Sequence, residues 1–270
     1  AFNLGLIFNN AAKKNQNSNA ITYPNGDRYS YEDLNFSSNR IARFLKIRDI
    51  KKRDVIVIFN DKSYHSYASM IACLKIGAIY CNIDISSPFA RAEKMINKIN
   101  PSIILYDNID KNLLKQIKEN FSLPIINLNS ENFKAQYSKE SPKQLNEIND
   151  VEGTSPAYIM FTSGSTGHPK GVVISHDNVI NFIYWSSSTF KIKVGDILTN
   201  VNPMYFDNSA FDFYNSFFTG ATLGSVNDKI AKDPNLLVKT VEELKCTLWY
   251  SVPSLLIYLI TARALEKDNF

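Results

Sequence analysis

The 270-residue chain is 44% hydrophobic, which supplies enough apolar material for one large domain or two smaller lobes. Its 30 Lys and Arg against 26 Asp and Glu give a formal charge of +4, and their dispersal along the chain argues against nucleic-acid binding. No apolar run approaches the ~20 residues that cross a bilayer, and no secretory signal opens the chain, so we expect a cytoplasmic protein without membrane association. Three scattered cysteines suit a reducing cytosol and, like the three histidines, lack metal-ligand spacing.

The first half of the chain alternates buried strands with amphipathic helices. The apolar runs predict strands at residues 53–59, 79–83, 102–105 and 123–126. Between them, the helical spacing of apolar residues predicts helices at residues 62–75, 88–99 and 110–120. This βαβα order predicts an α/β fold with a parallel sheet and helices on both of its faces.

A polar segment at residues 127–153 separates the first half from the second. It is rich in Asn, Ser, Lys, Glu and Gln, which predicts an exposed connection between inner halves at about 1–126 and 154–270. In the second half, strands are predicted at residues 156–161, 172–174, 197–201, 220–223 and 247–251. Helices are predicted at residues 175–188, 208–218, 234–245 and 253–264.

The loop after the strand at 156–161 has the composition of a phosphate-binding segment. Hydroxyl and amide donors come from four residues, Thr162, Ser163, Ser165 and Thr166. Glycines that permit positive φ and close approach to a ligand are Gly164, Gly167 and Gly171. Lys170 adds a mobile positive charge. A nucleoside triphosphatase P-loop is excluded because Gly171, not a hydroxyl residue, follows Lys170. A flexible surface hairpin is the alternative interpretation.

Residues 162–171 closely resemble the signature loop of the adenylate-forming superfamily, Thr-Ser-Gly-Ser/Thr-Thr-Gly-x-Pro-Lys-Gly, which binds ATP phosphates. The resemblance extends to the family's motifs at residues 29–34 (Tyr-Ser-Tyr-Glu-Asp-Leu), 74–84 (Leu-Lys-Ile-Gly-Ala-Ile-Tyr-Cys-Asn-Ile-Asp) and 205–209 (Tyr-Phe-Asp-Asn-Ser). Departures occur at Cys81, Asn82 and Ile85, where the amino-acid-activating branch more often has Val-Pro and Pro.

This resemblance implies the fold and extent of the domain. The expected fold is two stacked, mainly parallel sheets of βαβ type flanked by helices, as in the N-terminal lobe of adenylate-forming enzymes. Residues 1–270 would then form the truncated AMP-binding core of an adenylation domain without its C-terminal lobe.

The motif at 205–209 is similar to the Phe-Asp-x-Ser element of the amino-acid-activating branch. The resemblance implies that Asp207 pairs with the substrate ammonium, and that Asn208, Phe211 and Tyr250 line the side-chain pocket. From the residues alone, Asp207 is equally well a helix N-cap, and the two aromatic residues are equally well core residues. Large groups at both pocket positions favour a small amino acid, and the segments 202–207 and 253–254 are similar to those of D-alanine-activating ligases.

The implied reaction is attack of an amino acid carboxylate on the α-phosphorus of ATP, which gives aminoacyl-AMP and pyrophosphate. Transfer to the phosphopantetheine thiol of a carrier protein would follow. The loop hydroxyls and amides would bind phosphate oxygens, Lys170 would balance phosphate charge, and Mg²⁺ is expected with ATP, without an assigned protein ligand. The family's ribose-binding aspartate and catalytic lysine would lie beyond Phe270. No catalytic residue is therefore assigned, and we expect the 270 residues alone to adenylate poorly and a longer parent to be active.

Two alternative functions stay open. The first is an acyl or aryl acid:coenzyme A ligase of the same superfamily, in which Asp207 is only an N-cap. The second is a non-catalytic nucleotide-binding domain that has kept the loop.

Overall fold

The computed structural model describes residues 2–162 and 169–265 and contains two mainly parallel sheets flanked by helices, which confirms the predicted α/β class. The strands are β1 (Asn19–Thr22), β2 (Arg28–Ser30), β3 (Val55–Phe59), β4 (Ile79–Ile83), β5 (Ile103–Tyr106), β6 (Ile125–Asn127), β7 (Pro156–Thr162), β8 (Lys170–Ser175), β9 (Ile197–Asn200) and β10 (Thr222–Ser225). The helices are α1 (Leu4–Lys14), α2 (Tyr31–Lys46), α3 (Tyr64–Ile76), α4 (Phe89–Ile99), α5 (Lys111–Asn120), α6 (Glu131–Tyr137), α7 (His176–Thr189), α8 (Asn208–Phe217), α9 (Asp228–Ala231), α10 (Pro234–Glu243) and α11 (Pro253–Thr261).

The chain divides into two compact units. The first unit comprises Ala1–Asn9 and Leu34–Asn181, and the second comprises Asn10–Asp33 and Phe182–Phe270. This division differs from the sequence halves at about 1–126 and 154–270. Strands β7 and β8 join the sheet of the first half through β4, and β1 and β2 join the sheet of the second half through β10. Strand partners so far apart along the chain leave no mark on local periodicity.

The sheet of the first unit has the order β6-β5-β3-β4-β7-β8, and only the β7–β8 pair is antiparallel. The strands and helices that the sequence predicted for this unit lie within two residues of their predicted bounds, whereas α1, α2 and α6 had no predicted bounds. Local signals fix the ends of α3: the Ser63 hydroxyl accepts from the Ser66 amide, and Gly77 ends the helix at φ 69°.

A hydrophobic core in the first unit joins the sheet to α4 and α5. Met95 and Ile96 of α4 belong to this core, as the helical spacing predicts, and Ile99 packs against it partly buried. The strand residues of the core include Val57, Phe59, Cys81, Ile83 and Ile104.

The connection at 127–153 is more ordered than its composition predicts. It contains α6 and a 3₁₀ turn at Asn146–Asp150, and it buries Phe133 and Ile148. Arg43 of α2 donates to the carbonyl oxygens of Ser141 and Lys143 at 2.8 and 2.7 Å. Most of its residues are exposed or half-buried, as the composition predicts. The isolated apolar anchors and the arginine contacts to main-chain oxygens that order it produce no periodic pattern in the sequence.

The sheet of the second unit has the order β2-β1-β10-β9, with β1, β10 and β9 parallel. The strand predicted at 247–251 is reduced to a single parallel bridge between Leu198 and Leu248, so this prediction was wrong in extent. The segment still pairs beside β9, since the Thr199 amide donates to the Leu248 carbonyl at 3.0 Å.

A buried lysine joins two helices of the first unit. The Lys75 ammonium on α3 is fully buried and donates to Asn35 Oδ1, Ser38 Oγ and Asn39 Oδ1 on α2, at 2.7, 2.9 and 2.7 Å. Three acceptors match the three donors of an ammonium group. Burial, and secondarily the charge of Arg43, holds the pKa of Lys75 well below its ordinary value.

The lowered pKa of Lys75 predicts a pH-dependent stability. Between this pKa and the ordinary value near 10.4 the unfolded chain binds more protons, so the free energy of unfolding should rise with pH through that window. Above the lowered pKa and up to about pH 9.5, the free energy of unfolding from chemical denaturation should rise with pH more steeply in the wild type than in Lys75→Met, by up to about 1.4 kcal/mol per pH unit. The exposed Lys115→Met is the control and should keep the wild-type slope; parallel curves for wild type and Lys75→Met would contradict the prediction.

Candidate functional site

The predicted phosphate loop connects two paired strands of the first unit. Thr162 is the last residue of β7, Lys170 is the first residue of β8, and the two are direct partners in the antiparallel ladder. Both are exposed. Ser163, Gly164, Ser165, Thr166 and Gly167 lie outside the described residues. The ladder therefore holds the Thr162 hydroxyl and the Lys170 ammonium side chain at the two ends of the loop.

Gly171 serves a different purpose from the one predicted. It is not among the left-handed glycines of the described residues, which are Gly26, Gly77, Gly195 and Gly220. A Cβ at Gly171 would lie 3.2 Å from Ile159 Cγ2 and 3.4 Å from the Phe161 ring. The glycine is needed for close packing against β7, and not for a positive φ.

Polar side chains fix the loop after β3 at the carboxyl end of the same sheet. The buried Asp107 carboxylate accepts from the Asp61 and Ser63 amides, both at 2.8 Å, and from Ser66 Oγ at 2.7 Å. Sequence reasoning did not single out Asp107, although an aspartate directly after a buried strand was an available signal.

Asn82, one of the departures from the family motif, makes a hydrogen bond at the carboxyl end of the sheet of the first unit. Its Oδ1 accepts from Asn60 Nδ2 at 3.1 Å, and both asparagines are buried. Asn60 Oδ1 in turn accepts from the Lys62 amide at 2.8 Å. The amide pair joins the end of β4 to the loop after β3.

Asp207 caps α8 in the second unit. Its Oδ1 accepts from the Asn208 amide at 2.9 Å, and its side chain is exposed. This contact with the first amide of α8 agrees with the N-cap interpretation of Asp207, whose φ and ψ are themselves helical, and it leaves the carboxylate accessible to solvent.

Phe211 and Tyr250 are brought together in the second unit. Their rings stack with centroids 4.1 Å apart and an interplanar angle of 17°. Phe211 is buried and Tyr250 half-buried, and the Phe190 ring meets Phe211 edge-on at 5.3 Å. Asn208 is half-buried and lies one helical turn before Phe211 on α8.

Sequence reasoning missed a group of buried polar residues beside this aromatic pair. Asp212 follows Phe211 on α8 and is fully buried, and its Oδ2 accepts from Asn200 Nδ2 and Asn202 Nδ2. A carboxylate within an aromatic helix, together with two asparagines at a strand end, was the available signal.

No metal centre occurs among the described residues: none of their groups of His, Cys, Asp and Glu could hold an ion with three or more ligands. Buried His176 has a structural role, since its Nδ1 accepts from the Leu4 amide at 3.1 Å and burial lowers its pKa to about 4. Within the described ranges, every helix is too short or too polar to cross a membrane.

Comparison with known proteins identifies the family. A profile described as AMP-binding enzyme matches residues 8–269, nearly the whole chain. The chain belongs to the AMP-binding enzyme family.

Two curated relatives are similar in sequence. Tyrocidine synthase 3 of Brevibacillus parabrevis is 30% identical over 253 residues, which cover 93% of this chain and 4% of that protein. D-alanine--D-alanyl carrier protein ligase of Bacillus anthracis is 26% identical over 227 residues, which cover 84% of this chain and 43% of the ligase. The chain thus spans less than half the length of these relatives.

Two solved structures share the fold. The inhibitor-bound N-terminal domain of FACL13 from Mycobacterium tuberculosis has a TM-score of 0.89 and 21% identity, with 100% of this chain and 68% of that chain covered. The AMPPNP-bound nonribosomal peptide synthetase FmoA3 has a TM-score of 0.84 and 24% identity, with 99% and 27% covered. The sheets of this chain therefore have the fold of the N-terminal lobe of adenylate-forming enzymes.

The cap geometry at Asp207 predicts different stabilities for two substitutions. Asp207→Ala removes the acceptor for the Asn208 amide and should lower the free energy of unfolding by about 1 kcal/mol. Asp207→Asn keeps an equally good N-cap and should change it by less than about 0.5 kcal/mol. Urea denaturation measures both, and equal losses in the two variants would contradict the cap.

Proposed function

We propose that this chain is the nucleotide- and amino-acid-binding core of an adenylation domain. In this proposal an amino acid reacts with ATP to give an aminoacyl-adenylate and pyrophosphate, and the aminoacyl group then passes to a phosphopantetheine thiol of a carrier protein. The family match over residues 8–269 supports the adenylate-forming chemistry. The name of the D-alanine--D-alanyl carrier protein ligase supports an amino acid and a carrier protein as the kinds of partner.

The observation that carries the amino-acid assignment is the exposed Asp207 carboxylate, one helical turn before the Phe211–Tyr250 stack on α8. A substrate ammonium needs an anionic partner, whereas a fatty or aryl acid offers no cation. If Phe211 and Tyr250 line the side-chain pocket, their stacked rings take up room that a long substrate side chain would need, which supports a small amino acid as substrate.

The chain's own groups suit binding and charge compensation better than proton transfer. A carboxylate is already nucleophilic at neutral pH, so catalysis rests on positioning and on compensating the charge of the reacting phosphate. Lys170 and Thr162, paired at the ends of the loop, fit the binding of ATP phosphate oxygens. Mg²⁺ is expected to arrive with ATP, and the described residues contain no group of three or more His, Cys, Asp and Glu that could hold it.

The acyl or aryl acid:coenzyme A ligase is the second candidate function. The similarity to FACL13 has the higher TM-score of the two solved structures, but at 21% identity it supports the fold alone. The two functions differ in whether the substrate ammonium contributes to binding.

Lys170 tests the phosphate-binding part of the proposal. Because Lys170 is exposed, Lys170→Ala should leave the free energy of unfolding within about 0.5 kcal/mol of wild type. Its affinity for ATP, measured by isothermal titration calorimetry, should fall about tenfold through loss of a charge-assisted contact. The exposed Lys94→Ala on α4 is the matched control and should bind ATP as wild type does. Unchanged ATP affinity in Lys170→Ala would show that Lys170 does not contribute to phosphate binding.

Asp207→Asn tests the amino-acid part, because it keeps the helix cap and removes the charge. Binding is compared between sulfamoyl analogues of aminoacyl-adenylates and their des-amino counterparts. Wild type should prefer the amino form, and Asp207→Asn should lose most of that preference, at least about tenfold. Equal binding of both forms by wild type would favour the coenzyme A ligase.

Pyrophosphate exchange separates catalysis from binding alone. We expect weak or no amino-acid-dependent exchange from the 270 residues, and exchange from a longer polypeptide that contains them. ATP binding without exchange in that longer polypeptide would favour a non-catalytic nucleotide-binding domain.

A further inference from the structure

We propose that the buried Asp212 carboxylate is a positioning residue, which holds Tyr250 against Phe211 through Asn202. The inference concerns the second unit only and rests, for its functional meaning, on the function proposed above. None of the residues that tether Tyr250 needs to touch the substrate.

The carboxylate has two amide donors from the end of β9. Asp212 Oδ2 accepts from Asn202 Nδ2 at 2.9 Å and from Asn200 Nδ2 at 3.2 Å, and all three side chains are buried. Hydrogen bonds to a charged acceptor are stronger than those between neutral groups, and their strength increases away from water. Asp212 therefore fixes the amide plane of Asn202.

Asn202 carries this constraint to Tyr250. Its Nδ2 also donates to the Tyr250 carbonyl oxygen at 2.7 Å, so one amide nitrogen bridges α8 and the segment 247–251. The Tyr250 ring in turn stacks on Phe211, which precedes Asp212 in the chain. Asp212 thus contacts Asn202, Asn202 contacts Tyr250, and Tyr250 contacts Phe211, which is the chain neighbour of Asp212. The four residues form a closed cycle of contacts.

Packing alone does not fix Tyr250 in this position. Tyr250 also lines a cavity of about 400 Å³, whose wall includes Val241, Cys246, Trp249 and Leu256. The hydrogen bonds between the segment 247–251 and β9 are made at Thr247 and Leu248, where a single bridge joins Leu198 to Leu248. These bonds lie two or three residues before Tyr250 and open space lies on one side of it, so the hydrogen bond from Asn202 to the Tyr250 carbonyl directly restrains the Tyr250 backbone beside α8.

The expected consequence is control of the amino-acid pocket at a distance. If Phe211 and Tyr250 line the side-chain pocket, a more mobile Tyr250 would change how well the amino acid fits. The phosphate contacts of the first unit would be unaffected. A residue with a purely structural role would instead lower the folded fraction without changing the affinity of the folded protein for either ligand.

Hydrogen–deuterium exchange tests the tether without any ligand. Peptides covering 247–251 should exchange about tenfold faster in Asp212→Asn, which weakens the acceptor, and in Asn202→Ala, which removes the bridge. Tyr31→Phe is the matched control. The buried Tyr31 hydroxyl shares its one hydrogen between the Ser216 and Ala221 carbonyl oxygens, at 2.8 and 2.5 Å, at the other end of α8. This substitution should reduce stability and leave exchange at 247–251 unchanged. Wild-type exchange in both tether variants, or an equal rise in Tyr31→Phe, would overturn the proposal.

Ligand affinity tests the functional consequence. The affinity of folded Asp212→Asn and Asn202→Ala for the aminoacyl-adenylate analogue that wild type binds best should fall about tenfold, while affinity for ATP stays within about twofold. Wild-type affinity for the analogue in both variants would show that the tether does not shape the pocket. Absence of analogue binding by wild type would instead refute the proposed function, and the exchange experiment would still decide whether Asp212 holds Tyr250.

Discussion

The parallel pairing of β5, β3, β4 and β7 is the constraint on which the first unit depends. Parallel strands place all of their carboxyl ends at one edge, and the loops that leave that edge become neighbours whatever their distance in sequence. The loop after β3 and the strand end at Thr162 reach this edge from positions a hundred residues apart. Strand β8 pairs antiparallel beside β7, which sets Lys170 opposite Thr162.

Buried polar groups complete both units where apolar packing alone would leave the geometry loose. Lys75 joins α2 to α3, Asp107 fixes the loop after β3, and Asp212 joins α8 to the end of β9. Each is an ionisable side chain that accepts from or donates to neighbouring amides or hydroxyls, which limits the cost of its burial. Such groups specify a single arrangement, because a shifted helix would leave them without partners.

The exposed carboxylate of Asp207 and the buried carboxylate of Asp212 illustrate two different uses of one residue type on one helix. Asp207 caps the helix and stays accessible, so it suits an incoming cation. Asp212 accepts from interior amides and suits the support of the residues around it. The two aspartates are five residues apart, so Asp207 is exposed at the start of α8 while Asp212 is buried within the same helix.

The sequence by itself determined the α/β class, most helix and strand bounds, and the hydroxyl- and glycine-rich character of the loop after β7, because periodicity and capping are local properties. It also carried the family motifs that predicted the AMP-binding enzyme family. Only the tertiary structure decided that β7 pairs with β4, that residues 127–153 dock on α2, and that 247–251 forms one bridge. The Phe211–Tyr250 stack and the Asn202 bridge also required it. These features depend on contacts between residues tens to more than a hundred positions apart, and such contacts leave no periodic signal in the chain.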